Sequence, residues 1–186
     1  MRRPSFCAFL ALAAMLQGCA EAPRPPLEFA EAANAPYTLA PGDRLRVIVF
    51  GQESLSNSFG VDGSGAIAMP LIGQVPAKGR TTVQLAREIE RRLRNGYIRE
   101  PRVSVEVEAC RPFFVLGEVT TSGQYPYVNG MNVETAVAIA GGYTPRALKD
   151  RAELTRTVRG VAITADVPIT QPVRPGDTIF VHKWFF

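Results

Sequence analysis

The sequence predicts an α+β chain built from two small domains in series, residues 37–110 and 111–186. Three observations predict it. Each half carries one helical stretch flanked by short apolar, alternating segments. A Pro-Gly-Asp turn leading into an apolar strand occurs twice, at Pro41-Gly42-Asp43 and at Pro175-Gly176-Asp177. Hydrophobic content is 46% over 186 residues, near the globular average, so the chain folds but spreads its core over small units that gain from packing on neighbours.

The first element is a leader. Arg2 and Arg3 precede an apolar stretch from about Phe6 to Met15, followed by Leu16-Gln17-Gly18-Cys19. That stretch is shorter than the roughly 20 residues of a membrane-spanning helix, and small residues precede the cysteine, so residues 1–18 read as a cleaved signal. The pattern resembles bacterial lipoprotein signals, which implies acylation of Cys19 and a durable anchor, because two or more chains hold where one does not. Ala20 stands where an aspartate is the familiar inner-membrane retention signal, so the resemblance implies the outer membrane. Residues 19–36, with Pro23, Pro25 and Pro26, read as a lipidated tether.

Charge excludes one class of partner. Lys and Arg number 21 against 17 Asp and Glu, a formal +4 that falls to +2 once Arg2 and Arg3 leave, so nucleic-acid binding gains no support. Cys7 leaves with the signal and Cys19 is lipidated. Cys110 is then left without an intramolecular partner and reads as a buried small hydrophobe, with an intermolecular disulfide as the alternative.

In the first domain, Pro41-Gly42 suits the centre of a type II turn, and Asp43 is placed to accept from turn amides, worth about 1 kcal/mol. Leu45, Val47 and Val49 then line one face of a strand. Asp62-Gly63-Ser64-Gly65 is a turn ahead of Ala66-Ile67-Ala68-Met69, a hairpin segment ending at Pro70 before Leu71-Ile72-Gly73. The clearest helix is expected from Thr82 to Asn95, with Thr81 and Gln84 as a capping box and Gly96 beyond its end. Leu85, Ile89 and Leu93 form its buried stripe, while Glu88 with Arg92 and Glu90 with Arg94 read as solvated surface pairs. Pro101 to Glu108 alternates as a half-buried strand.

The second domain is expected to run from a strand at Phe113–Val119 through a turn at Ser122-Gly123 to a short helix, Val133 to Ala140. Asn132 caps that helix and Gly141-Gly142 stops it. Leu154–Val158 and Val161–Ala165 read as a hairpin around Arg159-Gly160. The last strand follows Asp177. Its repeat of the first turn is a shared turn solution rather than a duplicated domain.

Catalysis has poor material. His182 is the single histidine, and neither a serine elbow nor a metal-ligand spacing occurs. Asp43, Asp62 and Asp177 all sit beside glycines in turns, where a structural cap is the ordinary role. The glycine runs lack the Lys-Ser/Thr of a phosphate loop. No cofactor is expected.

What stands out is a set of motifs in order. Tyr37-x-Leu39-x-x-Gly42-Asp43, then Asp62-Gly63-x-Gly65-x-Ile67-x-x-Pro70-Leu71-Ile72-Gly73, resemble the N-terminal domain of the Wza-type polysaccharide export proteins. Gly117-Glu118-Val119, Gly123-x-Tyr125, Ala140-Gly141-Gly142-Tyr143-Thr144, Arg156 and Pro175-Gly176-Asp177 resemble the β-grasp SLBB domain that follows it in that family. The resemblance covers 37–186. It implies a non-enzymatic, lipid-anchored outer-membrane subunit, projecting into the periplasm as a homo-oligomeric ring, often an octamer. Such a ring passes polysaccharide outward and meets an inner-membrane copolymerase.

Three departures from the fullest members are a single SLBB-like unit, Ser122 where proline is usual, and an end at Trp184-Phe185-Phe186 without a C-terminal amphipathic helix. The chain thus resembles the short, GumB-like exporters, expected to line the periplasmic section of a conduit. Its aromatic end can pack on a neighbour, dip into the membrane interface or close the core. Two rival readings are a lipoprotein that binds a glycan or soluble ligand without making a channel, and a glycan-cleaving enzyme using the turn aspartates.

Replacing Cys19 with Ser should block acylation and either leave the signal uncleaved or release the protein. Membrane fractionation with mass measurement of the N-terminal peptide checks this, and a firmly bound mutant without acyl chains would remove the anchor assignment.

Overall fold

The computed structural model describes Leu27, Phe29, residues 35–158 and residues 160–184. The signal, Cys19 and most of the expected tether lie outside the described residues.

The first unit pairs β1 (Arg44–Val49) antiparallel with β2 (Asn57–Gly60) on one side and β5 (Val103–Ala109) on the other. Side chains alternate along β1, so Leu45, Val47 and Val49 all point to one face and are essentially buried. Across that face lies α1 (Thr82–Arg94), whose Leu85, Ile89 and Leu93 are fully buried at helical spacing. Each such side chain contributes about 1.5–3 kcal/mol by leaving water. The expected capping box is present: Thr81 Oγ1 accepts from Gln84 N–H at 3.3 Å and Gln84 Oε1 from Thr81 N–H at 2.9 Å. At the other end Gly96 has φ 99° and lets the chain leave the helix.

A separate hairpin joins β3 (Ala66–Met69) to β4 (Gly73–Pro76). Pro70 has no N–H for the ladder, so the strand stops there and Leu71 turns the corner with φ 68°. Sequence periodicity did not announce β2, whose Asn57-Ser58-Phe59-Gly60 is neither alternating nor β-branched.

The surface of α1 departs from expectation in one respect. Glu88 Oε1 does accept from Arg92 Nε at 2.8 Å, and the carboxylate also takes Arg91. The Glu90–Arg94 pair does not form. Glu90 Oε1 instead accepts from the Val103 backbone N–H at 3.0 Å, because an unsatisfied amide at a strand start costs more than an exposed ion pair returns.

The second unit contains β6 (Phe113–Gly117), β7 (Gly123–Tyr125), α2 (Val133–Ile139), β8 (Arg151–Val158), β9 (Val161–Pro168) and β10 (Thr178–Val181). Its sheet runs β7-β6-β10-β8-β9, with β6 and β10 parallel and the other pairs antiparallel. Two hairpins separated by a helix, with the last strand inserted between them beside the first, make the β-grasp arrangement. Val133, Ala136 and Val137 of α2 join Phe113, Val115, Leu154 and Ile179 in one core. Asn132 caps α2, its Oδ1 accepting from Thr135 N–H at 2.8 Å. Gly123, expected only as part of a turn, begins β7, and the β8–β9 hairpin extends further than its apolar residues indicate.

Phe29, in the stretch read as a tether, is fully buried in the core of the second unit. Proline-rich composition around it concealed one anchoring aromatic.

Hydrogen bonds from Arg91, then Arg92, hold the Glu88 carboxyl at about 2 against an ordinary 4.5, with burial opposing them. Because the folded value is depressed, this stabilisation is present above the unfolded pKa and is lost as pH falls through about 2. The difference in denaturation midpoint between the protein and Glu88→Gln should therefore narrow from about pH 4.5 downward. A difference that does not change with pH would show that Arg91 and Arg92 do not hold the carboxylate in solution.

Candidate functional site

The two Pro-Gly-Asp turns meet at the junction between the units. In each, the glycine takes a left-handed conformation, φ 93° at Gly42 and 85° at Gly176, and the aspartate folds back on the turn. Asp43 Oδ2 accepts from Ala40 N–H at 2.8 Å, and Asp177 Oδ2 from Arg174 N–H at 2.7 Å. Both carboxylates are buried, so each needs further donors. These come from different places.

Asp43 is completed by the inter-unit connection. Its Oδ1 accepts from the Arg111 backbone N–H at 2.9 Å, with Arg111 Nη1 3.5 Å away. The same Nη1 donates to the Tyr37 hydroxyl at 3.2 Å. Burial, then the Asp43 carboxylate, pushes that hydroxyl well above the usual phenol range, so Tyr37 stays protonated. The Arg111 stem continues over Gly176, where a β-carbon would stand 2.7 Å from Nε. Arg111 thus lies between the two turns, packed against the glycine of each.

Asp177 is completed within the second unit. Arg156 donates to it through Nη2 at 2.7 Å and Nε at 3.0 Å, in a pair almost wholly removed from water. Arg156 also donates to the Pro172 carbonyl at 2.8 Å and lies 5.0 Å from the centre of the Phe29 ring. Burial raises the Asp177 carboxyl, opposed by the Arg156 hydrogen bonds. Burial, then the Arg156 charge, lowers the Arg174 guanidinium. A groove of about 640 Å³ opens over these residues, lined by Arg111, Arg156, Arg174 and the Pro175–Asp177 turn, with Pro36 and Ile163 on its walls.

The remaining sequence-selected residues do not converge on this junction. Gly63 sits in the Asp62 turn, and Pro70 and Gly73 flank the β3–β4 corner. Gly117 ends β6 with φ 87°, where a β-carbon would stand 2.2 Å from the Val181 carbonyl oxygen, so β10 can approach only a glycine. Gly123 starts β7, while Gly141 and Gly142 follow α2 and their carbonyls take the Thr120 hydroxyl. Cys19 lies outside the described residues.

The two buried turn carboxylates are taken up by internal donors, whereas Asp62 is exposed and receives its donors on one oxygen. Asp43 and Asp177 are saturated by internal donors, and Asp62 Oδ1 accepts from Ser64 N–H, Ser64 Oγ and Ala66 N–H. The Ser64 hydroxyl, first among these donors, holds Asp62 below its ordinary value. His182 is partly exposed, 3.6 Å from Glu153 and edge-on to Phe180. Cys110 is half-buried, and burial raises its thiol. Among the described residues no group of three or more His, Cys, Asp and Glu side chains could hold a metal ion, and no helix is long and apolar enough to cross a membrane.

Sequence reading found Asp43, Asp177 and both glycines but missed Arg111, which carries no local signal beyond its position between two strands. Phe29 was missed because it stands in a proline-rich stretch without periodicity.

The family described as polysaccharide biosynthesis/export protein matches residues 31–108, and the SLBB domain matches residues 112–171. The chain is 35% identical over 118 residues to the exopolysaccharide production protein ExoF of Rhizobium meliloti (strain 1021). That similarity covers 57% of this chain, which spans only 28% of ExoF.

The unequal supply of donors separates two aspartates that look alike in sequence. Asp177→Ala should destabilise the protein by about 3–5 kcal/mol, because it leaves the Arg156 charge buried without its partner. Asp43→Ala should cost about 1–3 kcal/mol, the desolvation of the amides it leaves unsatisfied. Urea denaturation measures both. Equal losses near the ~1 kcal/mol of an ordinary turn hydrogen bond would show that Arg156 finds water.

Proposed function

This chain belongs to the polysaccharide export protein family, and on that footing we propose that it is an outer-membrane lipoprotein subunit of a homo-oligomeric exporter. Its polymer is an exopolysaccharide or capsular polysaccharide, passed from the periplasm to the cell surface. The observation that carries this reading is the tandem order of an export domain and an SLBB domain across most of the described chain. The exopolysaccharide link of ExoF adds support. No chemical step is assigned to any residue.

Passage of a hydrated polymer calls for an enclosed, wet path. Closed rotational symmetry provides it when one patch of a subunit binds a different patch on its neighbour. In the second unit, Phe114, Leu116 and Phe180 lie exposed on adjacent strands, on the face of the sheet away from its core. Clustered apolar side chains of this kind mark contact surfaces. An inner-membrane copolymerase is the partner expected below the ring.

The buried Phe29 bears on orientation. Phe29 lies ten positions after Cys19, a reach of about 31 Å if extended at about 3.1 Å per residue. With Cys19 acylated, that length holds the second unit near the membrane and leaves the first unit to project from it.

The groove at the junction favours a second reading, a lipoprotein that binds a glycan or soluble ligand without forming a channel. The two separate on assembly and phenotype. Deleting the gene should abolish surface polysaccharide while precursor remains in the periplasm, and native mass spectrometry of gently extracted protein should show one discrete multimer. A monomer at every concentration, with normal export in the deletion strain, would overturn the exporter and leave the binding lipoprotein.

A further inference from the structure

We infer that the outward face of α1, with the segment that follows it, is a cationic track for the carboxylates of an acidic polysaccharide. This deepens the export reading and rests on it.

Arg87, Arg91 and Arg94 stand exposed on the side of α1 opposite Leu85, Ile89 and Leu93. At 1.5 Å per residue they span about 10 Å along the axis. Arg99 and Arg102 are exposed beyond the helix, with one exposed acid, Glu100, between them. The acids of α1 do not offset them in solvent. Glu88 is only 14% exposed and is shared by Arg80, Arg91 and Arg92, while Glu90 is spent on the Val103 amide. Among the described residues, Arg87, Arg94, Arg99 and Arg102 make no side-chain hydrogen bond or ion pair.

The bland explanation is a solvated helix with basic residues at its C-terminal end, where they complement the helix dipole. That covers Arg91, Arg92 and Arg94. It does not cover Arg87, in the middle of the helix, or Arg99 and Arg102, beyond it. Nor does a merely solvated face turn its carboxylates inward and leave its guanidiniums outward, since interleaved signs stabilise such a face better.

Guanidinium groups in a row match a polymer that repeats a carboxylate, each able to take a bidentate pair. Exposed pairs are individually weak and screened by salt, so the polymer is held by their number and released easily. Loose, repeated holding suits a chain that must move on. Tyr97, 54% exposed beside the track, adds a ring face against which a sugar can lie. An anionic membrane surface is the less fitting partner. An interfacial helix needs an apolar face to bury in lipid, and that of α1 is consumed in the core.

The test is isothermal titration of the full detergent-extracted protein with oligogalacturonate and with its methyl ester, which removes the charge and keeps the sugar. The acid should bind about tenfold or more tighter than the ester, and binding should weaken as salt rises from about 0.05 to 0.5 M. The triple variant R87Q/R94Q/R99Q should lose at least about tenfold in affinity for the acid with unchanged melting temperature, because exposed helix charges contribute little to folding. Equal binding of acid and ester, or wild-type affinity in the triple variant, would overturn the track. So would arginine-dependent binding to phosphatidylglycerol vesicles without binding to the oligosaccharide. The deletion strain separates this from failure of the export reading. If only the track is wrong, the strain lacks surface polysaccharide and the triple variant restores it in full; if export itself is wrong, the deletion changes nothing.

Discussion

Burying a carboxylate is the constraint around which this structure is arranged. Asp43 and Asp177 each close a Pro-Gly turn by accepting the amide three residues back, which brings a negative charge into the protein interior. One internal amide does not compensate the lost hydration. Asp43 is completed by the backbone of Arg111, so the chain leaving the first unit is fixed to the turn that opens it. Asp177 is completed by Arg156, and Arg156 by the Pro172 carbonyl and the ring of Phe29. The inter-unit connection at Arg111, the turn before the last strand and the position of Arg156 against Phe29 are all tied to these two acids.

Glycine enters as the condition that makes those contacts possible. Arg111 Nε lies 2.7 Å from where a β-carbon at Gly176 would stand, and the Val181 backbone oxygen of β10 lies closer still, 2.2 Å, to one at Gly117. The second case fixes the parallel β6–β10 pairing at the centre of the β-grasp sheet. A substitution at either place acts on long-range pairing rather than on local turn preference alone.

The division of labour between the units follows from where their polar groups point. At the junction, charged side chains face inward and are consumed by one another, which is the signature of a structural hub. On α1 the reverse holds: the acids are drawn into the protein and the guanidiniums stand in water. The two arrangements differ in kind: the junction consumes its charges internally, while α1 presents its guanidiniums to solvent.

Local chemistry made much of the fold legible in sequence. The capping box at Thr81, the buried stripe Leu85-Ile89-Leu93, the alternation of β1 and both Pro-Gly-Asp turns depend on residues within a few positions of one another, and the structure forms all of them. The short strands β2 and β7 were not legible, because their hydrogen bonds come from partners elsewhere in the chain. Neither was the fate of Glu90, which helical spacing pairs with Arg94 and tertiary structure gives to Val103. Sequence alone also determined the order of family motifs, since those motifs are runs of adjacent residues. Only the tertiary structure decided that Arg111 lies between two turns more than 130 residues apart, and that Phe29 fills a core built by the other end of the chain. The physical reason is that a buried charge or ring is stabilised by whatever surrounds it in space, and spacing along the chain carries no record of that.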